Sequence, residues 1–342
     1  MMKITNLAQP VTIAAQGSFF SGGSVIKTEG EYELHSKDNP IGQTLHGDHA
    51  YVFYQIPEKA KKYPIVFLHG HGQSGKTWET TPDGREGFQT IFLRKGYGVC
   101  VLDQPRRGRA SLGTEGTNIN ASPNDIYAVN SLFRLGIWPD YFDTLQFDKS
   151  EETYDQFCRW QAPNTGPFDM TVVSDGVAAA LTDIGDNIFV THSMGGGVGW
   201  MAASKSKNCK GIISYEPGSN FVFPEGEVPE PLPSSHEPLK GVGIPMERYE
   251  ALTKMPIVIY YGDNIPESWC EYPGIDAWRV RLDMAYIFAE TINRHGGDCQ
   301  VVYLPKDQGI KGNTHFPFAD LNNSAIADLM EGFLKEKKLD IV

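Results

Sequence analysis

Ser193 has the surroundings of a nucleophile. It lies in Thr191-His192-Ser193-Met194-Gly195, after the apolar run Asn187-Ile188-Phe189-Val190 and before Gly196-Gly197-Val198-Gly199-Trp200-Met201-Ala202-Ala203. The run reads as a buried strand and its sequel as a helix, so the serine falls on a sharp strand-to-helix turn. Such a turn pushes the hydroxyl out of the sheet. It also sets the helix N-terminus and the next backbone N–H, that of Met194, where an oxyanion would form. Small residues suit the close passage of strand and helix and the strained backbone between them. The usual pattern is Gly-x-Ser-x-Gly, and here Thr191 replaces the first glycine.

A serine nucleophile needs a base, and the base needs an orienting acid. His315, in Gly312-Asn313-Thr314-His315-Phe316, follows the last apolar strand and precedes the final helical pattern. That is the place of the base in the chain order Ser, acid, His. His35, His46, His49 and His236 lack that order, and His295 falls in a helix C-terminal turn, where a cation is favourable in any case. The side chain of His192, beside the serine, should point elsewhere. Two carboxylates can serve as the acid: Glu216 in Tyr215-Glu216-Pro217-Gly218 and Asp263 in Tyr261-Gly262-Asp263-Asn264. Each ends a strand, and position alone slightly favours Asp263. A second oxyanion donor is expected from the backbone of His71 or a neighbour, in the strand-end loop His69-Gly70-His71-Gly72.

These residues must be held by a sheet. Apolar runs at 64–70, 97–103, 188–191, 211–215, 256–261 and 300–304 alternate with helical spacing at 86–95, 276–295 and 324–337. Alternation of this kind specifies an α/β fold, a mostly parallel central sheet with helices on both faces. Residues 1–57 read as antiparallel lead-in strands, at Val11–Ile13, Ser24–Ile26 and Tyr51–Ile56. Residues 111–175 break the rhythm with many aromatics amid acidic residues, and are expected to form an inserted helical cap over the site. The stretch 224–245, rich in Pro and Glu, reads as an extended loop. No linker divides the chain, so residues 1–342 are expected to form one domain.

Gly70-His71-Gly72-Gln73-Ser74-Gly75-Lys76-Thr77 also matches the Walker A pattern, and Val99–Asp103 resembles a Walker B strand. A phosphate loop needs a stable helix starting at Gly-Lys-Thr. Thr80-Thr81-Pro82-Asp83-Gly84 would break it at once, so a P-loop NTPase is the lesser reading. A non-catalytic hydrolase-fold binding protein is a third, against which stand the three triad candidates. The net charge of −12 over 342 residues argues against a nucleic-acid surface. Arg106-Arg107-Gly108-Arg109 reads as an exposed or structural loop. Five widely spaced cysteines suggest neither a disulfide framework nor a zinc site. With no signal-peptide core and no membrane-length apolar run, the chain as written reads as cytoplasmic, or as secreted or periplasmic if a leader has been removed.

Taken together, these motifs and the run Thr77-Trp78-Glu79-Thr80-Thr81-Pro82-Asp83-Gly84-Arg85 resemble the α/β-hydrolases, in the branch typified by the bacterial esterase 713. The resemblance extends from about Tyr51 onward. It implies carboxylic ester hydrolysis with Ser193 as nucleophile, His315 as base and Glu216 rather than Asp263 as acid. It also implies an oxyanion hole from the His71 and Met194 amides, a small-molecule ester substrate, no metal or organic cofactor, and makes a homodimer plausible. One departure stands out. The type member has adjacent cysteines where this chain has His71-Gly72, so a vicinal disulfide is absent and substrate preference does not carry over.

Overall fold

Alternate residues of the apolar runs face opposite sides of one sheet, because side chains along a strand alternate with period two. Ile65, Phe67, Ile188, Val190, Ile213 and Val258 join one core, and Val66, Leu68, Phe189, Ile212, Ile257 and Ile259 join the other. The computed structural model describes residues 10–35 and 38–342. Its main sheet has eight strands: β1 (Ile13–Ser21), β2 (Ala50–Pro57), β3 (Ile65–Leu68), β4 (Val99–Asp103), β5 (Asn187–His192), β6 (Cys209–Tyr215), β7 (Pro256–Tyr261) and β8 (Asp298–Tyr303). Their order is β1-β2-β4-β3-β5-β6-β7-β8. The first two strands pair antiparallel, β2 pairs antiparallel with β4, and every other pairing is parallel.

Seven helices accompany the sheet among the described residues: α1 (Phe88–Arg94), α2 (Glu151–Cys158), α3 (Met170–Ile184), α4 (Met194–Ala203), α5 (Met246–Leu252), α6 (Pro273–Arg294) and α7 (Asn323–Glu336). Helices α1 and α7 contribute Phe88, Phe92, Met330 and Phe333 to one core. From α3, α4 and α6 come Val177, Trp200 and Phe288 on the other. The sheet is thus covered on both faces, which lets its parallel strands be apolar throughout. Every parallel strand ends at the same edge, and there the strand-end loops meet.

Three segments differ in detail from the sequence reading. The first strand begins at Ile13, where it was expected to end, and runs on to Ser21. Its residues Ala14 to Ser18 have little strand propensity of their own, and pairing with β2 holds them there. Residues 111–175 are less helical than expected: they contain α2, a π-helical turn (Tyr127–Leu132) and a two-residue ribbon, Gly136–Ile137 with Asp140–Tyr141. Pro123, Pro139 and Pro163 interrupt any longer helix. The stretch 224–245 is not all loop, for Val222–Pro224 and Val242–Ile244 pair as a short parallel ribbon. Among the described residues no helix is long and apolar enough to cross a membrane.

Candidate active site

Ser193 stands between the end of β5 and the first turn of α4, with φ of 55° and ψ of −125°. A non-glycine residue rarely adopts a positive φ, and one held there by packing on both sides is typical of a functional turn. The packing is close. A Cβ on Gly195 would lie 2.4 Å from the His69 carbonyl oxygen, and one on Gly199 would lie 2.6 Å from Thr191 Cγ2. The second contact accounts for the departure at position 191. The threonine methyl fills the space that Gly199 leaves, and its hydroxyl donates to Ser214 Oγ at 2.9 Å.

His315 is buried, and its Nδ1 donates to Glu216 Oε2 at 3.0 Å, leaving Nε2 free to accept a proton. The other oxygen of Glu216 accepts from Arg134 Nη2 at 2.5 Å and also from the Gly262 amide. Arg134 and Glu216 are both sealed from solvent. Asp263, the competing carboxylate, has a different task. It accepts from the Gly312 amide at 2.7 Å, and its own amide donates to the Asn313 carbonyl at 2.8 Å. It braces the loop that carries His315 and does not touch the imidazole.

His315 is clamped from several directions. Its ring stacks on Phe133 at 5.4 Å and lies 4.2 Å from Trp278. Its amide donates to the Phe133 carbonyl, and its carbonyl accepts from His192 Nε2 at 2.9 Å. His192 therefore does point away from the serine, and it supports the base from behind. Burial, then the cations of Arg134 and Arg281, push the His315 imidazole well below its ordinary 6.5. The Glu216 carboxylate opposes them. The net direction keeps His315 neutral at neutral pH, the form that can take a proton.

Asp320 grips the same loop, accepting from the Thr314 amide at 2.7 Å, Thr314 Oγ1 at 2.8 Å and Asn313 Nδ2 at 3.0 Å. Burial raises its carboxyl to about 7. The Thr77–Arg85 run then ties this loop to the one at β3. Trp78 stacks on Phe318 at 4.1 Å, and Arg85 donates to the carbonyls of Ala319 and Asp320 and to Asn323 Oδ1. That motif spans the two halves of the site.

At the end of β3, the Gly70 carbonyl accepts from Arg107 Nη1 at 3.0 Å, and Arg107 is further fixed by Asn164 Oδ1. In a trans peptide the C=O and N–H point in opposite directions. Holding the Gly70 carbonyl therefore turns the His71 N–H away from Arg107. Arg106 and Arg107 are buried, not exposed, with Arg106 paired to Asp48. The Walker-like segment makes only a short 3₁₀ turn, Gly75–Trp78. Its Lys76 Nζ donates to the Thr80 carbonyl at 2.7 Å, and Asp103 accepts from the Gly75 amide and from Arg109. Both groups that a nucleotide and its magnesium would need are already engaged within the loop.

Ser193, Met194, His71 and His315 line one cavity of about 480 Å³, with Tyr127, Phe133, Gln161, Trp278 and Arg281 among its other walls. Glu216 lies behind His315. Residues 65–296 match the model of the Alpha/beta hydrolase family. The chain belongs to that family. It is 28% identical over 318 residues to a probable secreted lipase, phiG, of a fungus (strain ATCC 74256), covering 84% of this chain and 86% of the relative. It is also similar to a bacterial esterase solved at atomic resolution, with a TM-score of 0.77, 29% identity, and coverage of 97% of this chain and 99% of the other. Sequence reasoning missed Arg134, Asp320 and Arg107 as supports of the site. A buried arginine or aspartate has no local signature; only its partners, distant in sequence, mark it.

Proposed function

We propose that this member of the family hydrolyses carboxylic esters through an acyl-enzyme on Ser193, with His315 as base and Glu216 as acid. The observation that carries the triad assignment is the bond from His315 Nδ1 to Glu216 Oε2, made while Asp263 is engaged with the loop backbone. The lipase and esterase relatives support an ester as substrate.

His315 Nε2 takes the proton of Ser193 as its oxygen attacks the carbonyl carbon. Charge then gathers on the carbonyl oxygen, which the amides of Met194 and His71 stabilise. The imidazolium gives its proton to the departing alkoxide, and the alcohol leaves an acyl-serine. Water, deprotonated by the same imidazole, attacks that acyl group and frees the acid. Glu216 fixes the imidazole tautomer and offsets its transient charge. Arg134, held by Trp278 at 4.8 Å and by the Asp263 carbonyl, keeps the carboxylate oriented. Residues 111–175 act as the cap, supplying Tyr127 and Phe133 to the cavity.

The test is hydrolysis of a panel of p-nitrophenyl esters by wild type and Ser193→Ala. Turnover by the wild type and a loss of roughly 10⁴–10⁶-fold in the variant are expected. Equal activity in both would remove Ser193 from the chemistry.

A further inference from the structure

Arg281 stands in the wall of the catalytic cavity, on the same helix as Trp278. Its Nε donates to the Gly218 carbonyl at 2.7 Å, and its guanidinium lies 4.8 Å from the centre of the Trp278 ring. Arg134 lies at the same distance from that ring and is neutralised by Glu216. Arg281 has no such partner: among the described residues no carboxylate is within ion-pairing distance of it. Burial first, and then the charge of Arg134, disfavour its cation. Glu237, at the exposed rim of the cavity, acts on it only through space. Arg281 is half-buried and opens on the cavity, so an anion held there would meet an unpaired guanidinium at contact distance.

The location says where that ligand belongs. A Cβ placed on Gly218 would sit 3.6 Å from Ser193 Oγ, 3.6 Å from Arg281 Nε and 3.7 Å from the Trp278 ring. A single methyl-sized group there would touch nucleophile and guanidinium together. A substrate whose carbonyl is under attack by Ser193 therefore has its neighbouring atoms within reach of Arg281. With Nε spent on Gly218, the two Nη groups can still face an anion, and a planar guanidinium suits the two oxygens of a carboxylate. The overall charge of −12 repels anions at long range but is screened beyond about 8 Å in physiological salt, whereas this cation acts at contact.

We infer that the cavity selects esters bearing a free carboxylate a few bonds from the scissile carbonyl, such as monoesters of short dicarboxylic acids, with Arg281 receiving the carboxylate. This rests on the assignment of Ser193 as nucleophile. The competing role for Arg281 is structural, holding Gly218 and hence the serine turn.

The experiment measures kcat/KM of the full chain at pH 8 for monomethyl succinate and for methyl valerate, a neutral ester of similar size. The wild type should favour monomethyl succinate by about 10–100-fold, the worth of one charge-assisted contact. Arg281→Met should bring the ratio of the two constants close to one, and Arg281→Lys should leave an intermediate ratio. Free succinate should inhibit wild-type hydrolysis of methyl valerate competitively and far better than butyrate, which needs no variant to fold. Equal wild-type constants for the two esters would overturn the selectivity, as would an Arg281→Met variant that loses both activities in the same proportion. Turnover of neither ester, with no labelling of Ser193 by a fluorophosphonate, would instead overturn the esterase reading on which the selectivity rests.

Discussion

On the strand-end side of the cavity, Glu216, His315 and Arg134 are all but sealed from solvent, and His315 Nδ1, both Glu216 oxygens and Arg134 Nε and Nη2 are bound to one another or to backbone. The facing segment, residues 111–168, leaves Leu112, Ile119, Ile126, Tyr127, Trp138 and Phe168 exposed, and most of it is irregular. It meets the site at several points, among them Tyr127, Phe133 and Gln161 in the cavity wall and Asn164 on Arg107. Phe133 and Arg134 cross to the other side, one stacking on His315 and receiving its amide, the other binding Glu216. The difference follows from what each side must do. Proton transfer needs atoms held to fractions of an ångström. A wall that only shapes the cavity needs a few firm anchors, and the rest can vary.

The largest effect should come from the rigid side. Glu216→Gln is expected to lower kcat/KM for a neutral ester by roughly 10³–10⁴-fold, as loss of the tautomer-fixing carboxylate does in other triads. Asp263→Asn, which touches only backbone, should stay within about tenfold of wild type. The reverse order would break the assignment. Arg134→Met tests the anchor between the two sides. Removing it leaves Glu216 buried without its cation, so urea unfolding should register a loss of about 3–5 kcal/mol. A loss under about 1 kcal/mol would mean that the crossing carries little of the architecture.

A smaller effect concerns pH. His315 must be neutral to accept a proton, and burial with the cations Arg134 and Arg281 disfavours its protonation, while Glu216 favours it and His192 behind it stays neutral. The acidic limb of kcat/KM for a neutral ester should therefore fall below pH 6.5. Arg281→Met, removing one cation, should move that limb upward; a limb that stays in place would separate Arg281 electrostatically from the base. The smallest effect belongs to the exposed wall. Trp138→Ala, at a half-exposed site far along the excursion, should change unfolding free energy by no more than about 0.5 kcal/mol.

How much of this was legible in the sequence divides along the same line. The strand-to-helix turn at Ser193 and the run of parallel strands were readable because strand, turn and helix signals are local. The choice between Glu216 and Asp263 was not local. Both end strands at the same edge, and only the loop from Gly312 to His315 decides which faces the ring and which the backbone. Resemblance to a family chose Glu216 where position leaned the other way. The Walker-like loop shows the opposite failure: every letter matches, yet the segment makes only a 3₁₀ turn that stops at Trp78, without the helix that the pattern requires. The helical content of residues 111–175 was overestimated, since aromatic density reports burial and not periodicity. Arg107, Arg134 and Asp320 were out of reach because their roles depend on partners far away in the chain.

The most direct test of the account is intact-mass analysis and peptide mapping after treatment with a fluorophosphonate. One adduct per chain is expected, located on the peptide containing Ser193, with Glu216→Gln labelled far more slowly and Asp263→Asn at close to the wild-type rate. An adduct on another residue, or none under conditions where the ester panel is hydrolysed, would contradict the account.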